Sequence, residues 1–245
     1  MKLSGHTVLV TGGSSGIGLA LSLRFLAEGN RVLIIGRDAR KLEAVRRSHP
    51  AIGIFSTDLS TEAGLEALLS FVKQEYPQLN ILVNNAGVQY NYLFMEEPDA
   101  LSRIDQEIST NLVAPVKLTS LLLPLLTGNP NGAIVNVSSG LFLAPKKTAS
   151  VYCATKAALH SFSKSLRYQL EGSGTKVFEL VPALVDTPMT EGRSGSMISS
   201  TQLCEEFFRD FSRDVYESYI GKTSLLRWLS RLSPGLADRI MKNGQ

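Results

Sequence analysis

Seven short runs of β-branched and apolar residues recur along the 245-residue chain: TVLV, RVLII, AIGIF, NILVNN, AIVNVSS, KVFELV and VYESYI, each separated from the next by a segment of helical period. Strands that alternate with helices pair in parallel through crossovers, and the helices then cover both faces of the sheet. The pattern therefore predicts a single α/β domain over 1–245, a doubly wound parallel sheet of about seven strands. Crossover helices are expected at Ile17–Glu28, Ala39–Arg47, Glu62–Tyr76, Ile108–Leu126 and Val151–Glu171. No repeat of solenoid period and no linker divides the chain, and its one Gly/Ser-rich loop, Thr190 to Ser200, follows the sixth run. Residues 190–215 are accordingly expected to form a substrate-loop region, and 222–245 a basic tail.

Bulk properties remove several function classes. With 44 % apolar and 19 % charged residues the chain is not a disordered one, and a net charge of +3 is too small to suggest nucleic acid. Cys153 and Cys204 form no CxxC pair and have no His-rich partner cluster, so neither a disulfide framework nor a metal site is indicated. The apolar run in MKLSGHTVLVTGG is too short for a signal-peptide core or a membrane span, which makes a cytoplasmic protein the expectation.

The stretch TVLVTGGSSGIGLAL puts Gly12, Gly16 and Gly18 directly after the first strand and at the start of a helix. Glycines there let the turn close and let backbone N–H groups approach a pyrophosphate at the positive end of the helix. A second constellation lies in SVYCATKAAL. Tyr152 and Lys156 are four positions apart, one helical turn, and so share a face. A nearby ammonium favours phenolate, so Lys156 is expected to lower the pKa of Tyr152 from about 10 toward neutrality and suit it to acid–base work. Ser139, at the end of the fifth strand, can donate a hydrogen bond to a carbonyl oxygen on which charge builds.

Together with Asp58 in TDLS, the NNAG of residues 84–87, Asn111 in STNLVAPV and Ser139 in IVNVSS, the Thr-Gly-x-x-x-Gly-Ile-Gly spacing resembles the short-chain dehydrogenase/reductase family over about Leu3 to Pro188. The resemblance implies a Rossmann-type fold and a catalytic set of Asn111, Ser139, Tyr152 and Lys156, with Asn111 holding a water behind Lys156. It implies a cofactor site made of Gly12, Ser14, Ser15, Gly16, Ile17, Gly18, Arg37, Asp58, Leu59, Asn85, Ala86, Gly87, Tyr152, Lys156, Val185 and Thr187. Two departures stand out: Ala183 replaces the Gly of the family's Pro-Gly-x-x-x-Thr segment, and the chain ends without Val-Asp-Gly-Gly. That end resembles a bacterial branch of oxidoreductases sometimes linked with D-alanylation of cell-wall polymers.

At the end of the second strand, where an acidic residue would accept the ribose hydroxyls of NAD, the chain has Gly36 and Arg37. Arg37 can pair with a 2′-phosphate, with Ser14 and Ser15 adding hydroxyls, so NADP(H) is expected in preference to NAD(H). Val88, Tyr90, Tyr92, Phe94, Leu141, Phe142, Leu143 and the loop Thr190–Ser200 are the expected substrate wall, which suits a hydrophobic or aromatic carbonyl compound or alcohol. Arg193 would suit an anionic substrate, although a loop arginine is ordinarily just solvated. An NADP(H)-dependent carbonyl reductase or alcohol dehydrogenase is the expected function. The alternative is a catalytically idle NADP(H)-binding redox sensor, which would need the cofactor site but not the proton donors.

The family commonly pairs the helices corresponding to Asn111–Leu126 and Tyr152–Glu171, so a homo-oligomer, dimer or tetramer, is expected. The tail carries Lys222, Arg227, Arg231, Arg239 and Lys242 against Asp238, and its leucines recur at helical spacing up to Pro234–Gly235. Docking of this amphipathic segment onto the protein's own body is favoured over contact with an anionic membrane surface, since so few basic residues hold a protein to lipid only when all lie at the surface.

Overall fold

The computed structural model describes residues 1–193 and 195–243. Position 194 of the expected substrate loop and the last two residues of the expected tail lie outside that range. Every expected run becomes a strand: β1 (Thr7–Thr11), β2 (Arg31–Gly36), β3 (Gly53–Ser56), β4 (Ile81–Asn84), β5 (Ala133–Val137), β6 (Lys176–Pro182) and β7 (Glu217–Ile220). They form one parallel sheet in the order β3-β2-β1-β4-β5-β6-β7. The order reverses between β1 and β4, and the carboxyl ends of strands at such a switch point leave a crevice for a ligand.

Nine helices are described: α1 (Gly16–Ala27), α2 (Ala39–Ser48), α3 (Glu62–Glu75), α4 (Ala100–Ile108), α5 (Ala114–Gly128), α6 (Ser150–Gln169), α7 (Ser200–Ser212), α8 (Thr223–Leu232) and α9 (Pro234–Met241). The period of two along each strand divides the core into two layers. Val8, Val10, Ile34, Val83 and Val135 face Phe25 of α1 and Phe207, Phe208 and Phe211 of α7. Leu9, Leu33, Leu82 and Ile134 face α3, α5 and α6 through Leu68, Leu122 and Leu166. Each such fully buried side chain contributes roughly 1.5–3 kcal/mol of apolar transfer, so both layers hold the sheet's loop-bearing edge in place.

Three differences from the sequence expectation have physical causes. Residues 200–212 are not part of a substrate loop. Ser199 caps α7 by accepting from the Gln202 N–H at 3.0 Å, and the Phe207/Phe208/Phe211 stripe buries against Phe25 and Phe178. The helix expected from Ile108 begins at Ala100, because ALSRIDQEI is polar enough to read as loop and buries only Glu107. Between α4 and α5 the chain widens into a π-turn over Ser109–Val113, which turns Asn111 inward and buries it. Such a turn is costly in isolation and tends to mark a functional position.

The tail folds as α8 and α9: the break expected at Pro234–Gly235 falls at Ser233, and Pro234 and Gly235 open the second helix, where a proline at the first position is tolerated. The Thr223 hydroxyl of α8 donates to the carbonyls of Val181 and Ile220, and the Lys147 N–H donates to the Lys242 carbonyl at 3.0 Å. The far end of the tail is thus tied to the segment just before α6. Leu225, Leu226 and Leu229 line a cavity, Leu225 at its exposed rim, while Trp228 and Leu232 are exposed.

Candidate active site

The glycine turn makes a cradle. Gly12 and Gly16 take φ of +64° and +54°, a left-handed region that side-chain-bearing residues rarely adopt. A Cβ on Gly12 would stand 3.0 Å from the Ala86 Cα, and one on Gly18 would collide with the Gly12 carbonyl oxygen and the Asn85 amide. Ser15, at the N-cap of α1, makes no side-chain cap bond, so amides of the first helical turn remain available to an anion. Thr187 lies against Gly16, its Cγ2 3.1 Å from where a Cβ would be. Gly18→Ala should introduce about 1–3 kcal/mol of overpacking and lower the melting temperature by several degrees, with weaker nucleotide binding. A thermal melt that superimposes on wild type would show that the turn has room.

The cradle opens into a cleft of about 320 Å³ lined by Gly12, Ser14, Ser15, Gly16, Ile17, Arg37, Asp58, Leu59, Asn85, Ala86, Gly87, Tyr152, Lys156 and Thr187. The structure thereby gathers these expected cofactor residues along one crevice. Gly18 sits behind it as packing, and Val185 lines the neighbouring cavity instead. The donors fit a dinucleotide: a cradle a Cβ would fill, a helix N-terminus and an exposed Arg37 on the same cleft. Asp58 accepts from the Ser60 amide and hydroxyl at 2.9 and 2.7 Å. Burial pushes the Asp58 carboxyl up, but these hydrogen bonds and the Arg37 charge hold it below its ordinary value.

Asn85 acts as a strut. Its side-chain amide donates to the carbonyls of Thr11 and Gly12 at 2.9 and 3.2 Å, while the Thr11 hydroxyl accepts from the Asn85 and Ala86 N–H groups. The end of β4 is thus laced to the glycine turn. Asn84, inside the sheet, donates to Asn136 and Thr119, and Asn136 donates to the Ser163 hydroxyl on α6. This buried polar chain ties the catalytic helix to the sheet centre, with Asn84 Oδ1 left without a partner.

Tyr152 lines both the cleft and a second cavity of about 380 Å³; Lys156 lines only the first and Ser139 only the second. The phenol therefore stands at the seam. Ser139 accepts from the Leu141 N–H at 3.2 Å, and its hydroxyl stands beside the Tyr152 phenol on the wall of the second cavity. Lys156 Nζ donates to the Val137 carbonyl at 2.8 Å, and lies 5.5 Å from the Tyr152 ring centroid. Asn111 accepts from the Val88 N–H and donates to the Val88 carbonyl, each at 2.8 Å. Gly87 lets these groups converge: a Cβ there would sit 3.3 Å from Asn111 Oδ1 and 3.8 Å from Lys156 Nζ.

The expected lowering of the Tyr152 pKa by Lys156 is not what the protein does. Burial pushes the phenol up to about 12, against the opposing influence of the Ser139 hydroxyl and then the Arg193 charge. Burial also brings Lys156 down to about 8, with Glu179 opposing. The ammonium is directed to the Val137 carbonyl, and desolvation of a nearly enclosed phenol outweighs its field. At neutral pH Tyr152 is consequently a protonated acid, the form that carbonyl reduction requires.

Glu107 has no counterpart in the sequence expectation. It is fully buried, its Oε1 accepts from the Tyr90 N–H at 3.0 Å, and burial raises its pKa. With Asn111 one turn away it pins residues 88–90 beside the site. A Glu in the last turn of a short amphipathic helix gives no sign of this in sequence, since acidic residues on such helices are ordinarily solvated.

The second cavity departs from the expected substrate wall. Among Tyr90, Tyr92, Phe94, Leu141, Phe142 and Leu143, only Leu141 lines it; Phe142 stacks on His160 at 4.1 Å and Val88 faces the cofactor cleft. The missing wall comes from the tail, through Leu225, Leu226, Leu229, Ile240 and Met241, with Leu184, Thr190 and Arg193 opposite. The leucine period of the tail was the available signal: it points to docking on the protein's own body, with the substrate cleft and a subunit interface both open as the surface it meets.

Comparison with known proteins agrees with this geometry. The short chain dehydrogenase family model matches residues 6–197. The chain is 44 % identical over 191 residues to the uncharacterized oxidoreductase DltE of Bacillus subtilis, covering 78 % of this chain and 76 % of that one. A short-chain dehydrogenase from Sphingobium yanoikuyae in complex with NADPH superimposes with a TM-score of 0.81 at 27 % identity, covering 98 % of both chains. A 3-ketoacyl-(acyl-carrier-protein) reductase from Brucella melitensis complexed with NADH gives 0.77 at 26 % identity, over 85 % of this chain and 91 % of that one. The glycine cradle, the Ser-Tyr-Lys seam and these likenesses together place the chain in the short chain dehydrogenase family, in the bacterial branch of oxidoreductases to which DltE belongs.

Proposed function

We propose that the protein is an NADP(H)-dependent oxidoreductase acting on a carbonyl or secondary alcohol of a hydrophobic or aromatic small molecule. The observation that carries the reading is the placement of a protonated Tyr152 between the nucleotide cleft and the apolar cavity. A bound nicotinamide supplies the hydride. Tyr152 Oη donates its proton to the carbonyl oxygen, and the Ser139 hydroxyl donates a hydrogen bond to the same oxygen as its charge builds. Lys156 stabilises negative charge left on Tyr152, and Asn111 stands beyond Lys156, in the position from which the proton is replenished through water. In the reverse direction the same groups remove the proton of an alcohol. A substrate body seated on the apolar cavity walls would displace water from the seam and so strengthen each of these electrostatic contacts.

Arg37 supports NADP(H) over NAD(H). It is exposed at the end of β2, and the Asp38 carboxylate beside it is taken up by the Arg40 and Lys41 N–H groups at 3.0 and 3.2 Å as the cap of α2. Asp38 is thereby tied down as a cap, and Lys41 adds a second cation at the cleft. Arg37→Ala should raise the NADPH dissociation constant about tenfold to a hundredfold and leave that for NADH nearly unchanged, because a charge-assisted bond to the 2′-phosphate contributes roughly 1.5–3 kcal/mol. Fluorescence titration with both cofactors checks this; equal losses would assign Arg37 to the fold alone. A screen of ketones and aldehydes by NADPH oxidation tests the activity, and an absence of turnover across aliphatic and aromatic carbonyls would overturn it.

A further inference from the structure

We propose that the substrate is an anionic amphiphile, an apolar chain or ring carrying the reacting carbonyl and a carboxylate, with the carboxylate held between Arg193 and Lys146. This deepens the oxidoreductase reading and rests on it.

The charge on the cavity wall is one-sided. Its apolar surface comes from Leu141, Leu184, Leu226, Leu229 and Met241, and its charged side chains are Lys146, Arg193 and Lys222, with no carboxylate among the described lining residues. Lys146 and Arg193 are both partly buried. Their polar contacts are neutral amides: Arg193 Nη1 donates to Gln89 Oε1 at 3.1 Å, and Lys146 Nζ to Asn91 Oδ1 at 3.4 Å. Neither forms an ion pair among the described residues.

Both cations are held close to the reacting end by their own backbone. The Lys146 N–H donates to Cys153 Sγ at 3.4 Å, next to Tyr152, and the Arg193 N–H donates to the Thr190 carbonyl at 3.1 Å. Gly192 at φ +78° and Gly195 at φ +127° give the loop its sharp turns on either side of Arg193. The two charges also feel each other. Burial and then the Arg193 charge hold Lys146 below its ordinary pKa, and Arg193 acts on the Tyr152 hydroxyl as well.

Two like charges drawn together in a partly dewatered place are unfavourable unless an anion joins them. A neutral ketone would fill the apolar wall but leave both cations uncompensated. A polyol would satisfy neither the leucines nor the charges. A carboxylate on an apolar body satisfies both, and the planar fork of Arg193 can take it bidentately while Lys146 acts as a point charge.

Calorimetric titration of the NADP-loaded full-length protein with octanoate and with octanamide tests the site without turnover. Octanoate is expected to bind at least about tenfold tighter than octanamide, with the preference shrinking as salt screens the charges. Arg193→Gln and Lys146→Gln should each cut that preference severalfold or more, the double variant should erase it, and Arg193→Lys should keep part of it. Melting curves confirm that the variants are folded. Equal affinity for the two probes, no detectable binding of either, or a preference that survives the double substitution would overturn the proposal. The same comparison by kcat/KM, using oxo-octanoates of varied carbonyl position against their amides, separates it from the parent reading. Reduction of amides and acids alike sinks only the anion site; tight octanoate binding with no carbonyl reduced sinks the oxidoreductase reading and leaves the anion site standing.

Discussion

Tyr152→Phe is expected to reduce kcat/KM for NADPH-dependent carbonyl reduction by about 10²–10⁴, with the NADPH dissociation constant changed by no more than about twofold. The hydroxyl removed is the one proton donor at the seam of the two cavities, whereas the ring stays packed in a small cluster with Ala149, Cys153 and Leu141. Among the described residues nothing else lining both spaces carries a comparable acid: the groups shared with Tyr152 are Ile17, Pro182, Thr187 and Met189. Thr187 is the single hydroxyl among them, and its pair with Thr190 caps the turn at Pro188. Burial makes the phenol a weak acid in the resting protein, so it keeps its proton until charge appears on the carbonyl oxygen, and a Phe has no proton to give at that moment. Single-turnover measurements with any ketone the wild type reduces decide the matter. A variant within a few-fold of wild type would mean that the proton comes from solvent, and that the seam position of Tyr152 is an accident of packing.

The strands were legible because a parallel sheet buried on both faces is mostly apolar, and Val8–Val10, Leu33–Ile35 and Ile81–Val83 are accordingly unbroken apolar runs. What escaped was structure whose reason lies in distant partners. α7 buries Phe207, Phe208 and Phe211 against Phe25 and Phe178, residues roughly thirty to a hundred and eighty positions away, and its own sequence reads as an ordinary surface segment after a loop. The start of α4 escaped because its face toward the core holds one glutamate, which is interpretable only once Tyr90 is seen to donate to it.

The site divides along the same line. The glycine turn and the i, i+4 spacing of Tyr152 and Lys156 follow from local geometry, and the fold brings both to the crevice at the reversal of strand order. Their electrostatics do not follow from spacing. A neighbour at i+4 argues for a lowered phenol pKa, yet full enclosure of Tyr152 and the turn of Lys156 Nζ toward Val137 reverse the direction. Substrate recognition was the least legible part. The aromatic residues after NNAG pack among themselves, as Tyr92 on Phe94, and the cavity is walled instead by a tail more than seventy residues further on in sequence than Tyr152.

Lys156→Ala should lower kcat for reduction by at least about a hundredfold, raise the cofactor dissociation constant about tenfold, and remove a feature from the pH profile that Tyr152→Phe would leave in cofactor binding. Lys156 is 4 % exposed and lines the nucleotide cleft, so on the proposed mechanism both chemistry and cofactor binding lose a donor. Its pKa of about 8 sets the profile. In the proposed mechanism the cation is the useful form, since it stabilises charge left on Tyr152; activity is therefore expected to be full below about pH 8 and to fall as pH rises through that value. Tyr152, at about 12, keeps its proton across the same range, so the descending limb belongs to Lys156. Lys156→Arg separates charge from titration: the guanidinium stays protonated above pH 12, and whatever activity survives should no longer fall near 8. A limb near pH 8 that persists in both variants would assign the titration to another group and remove Lys156 from the relay.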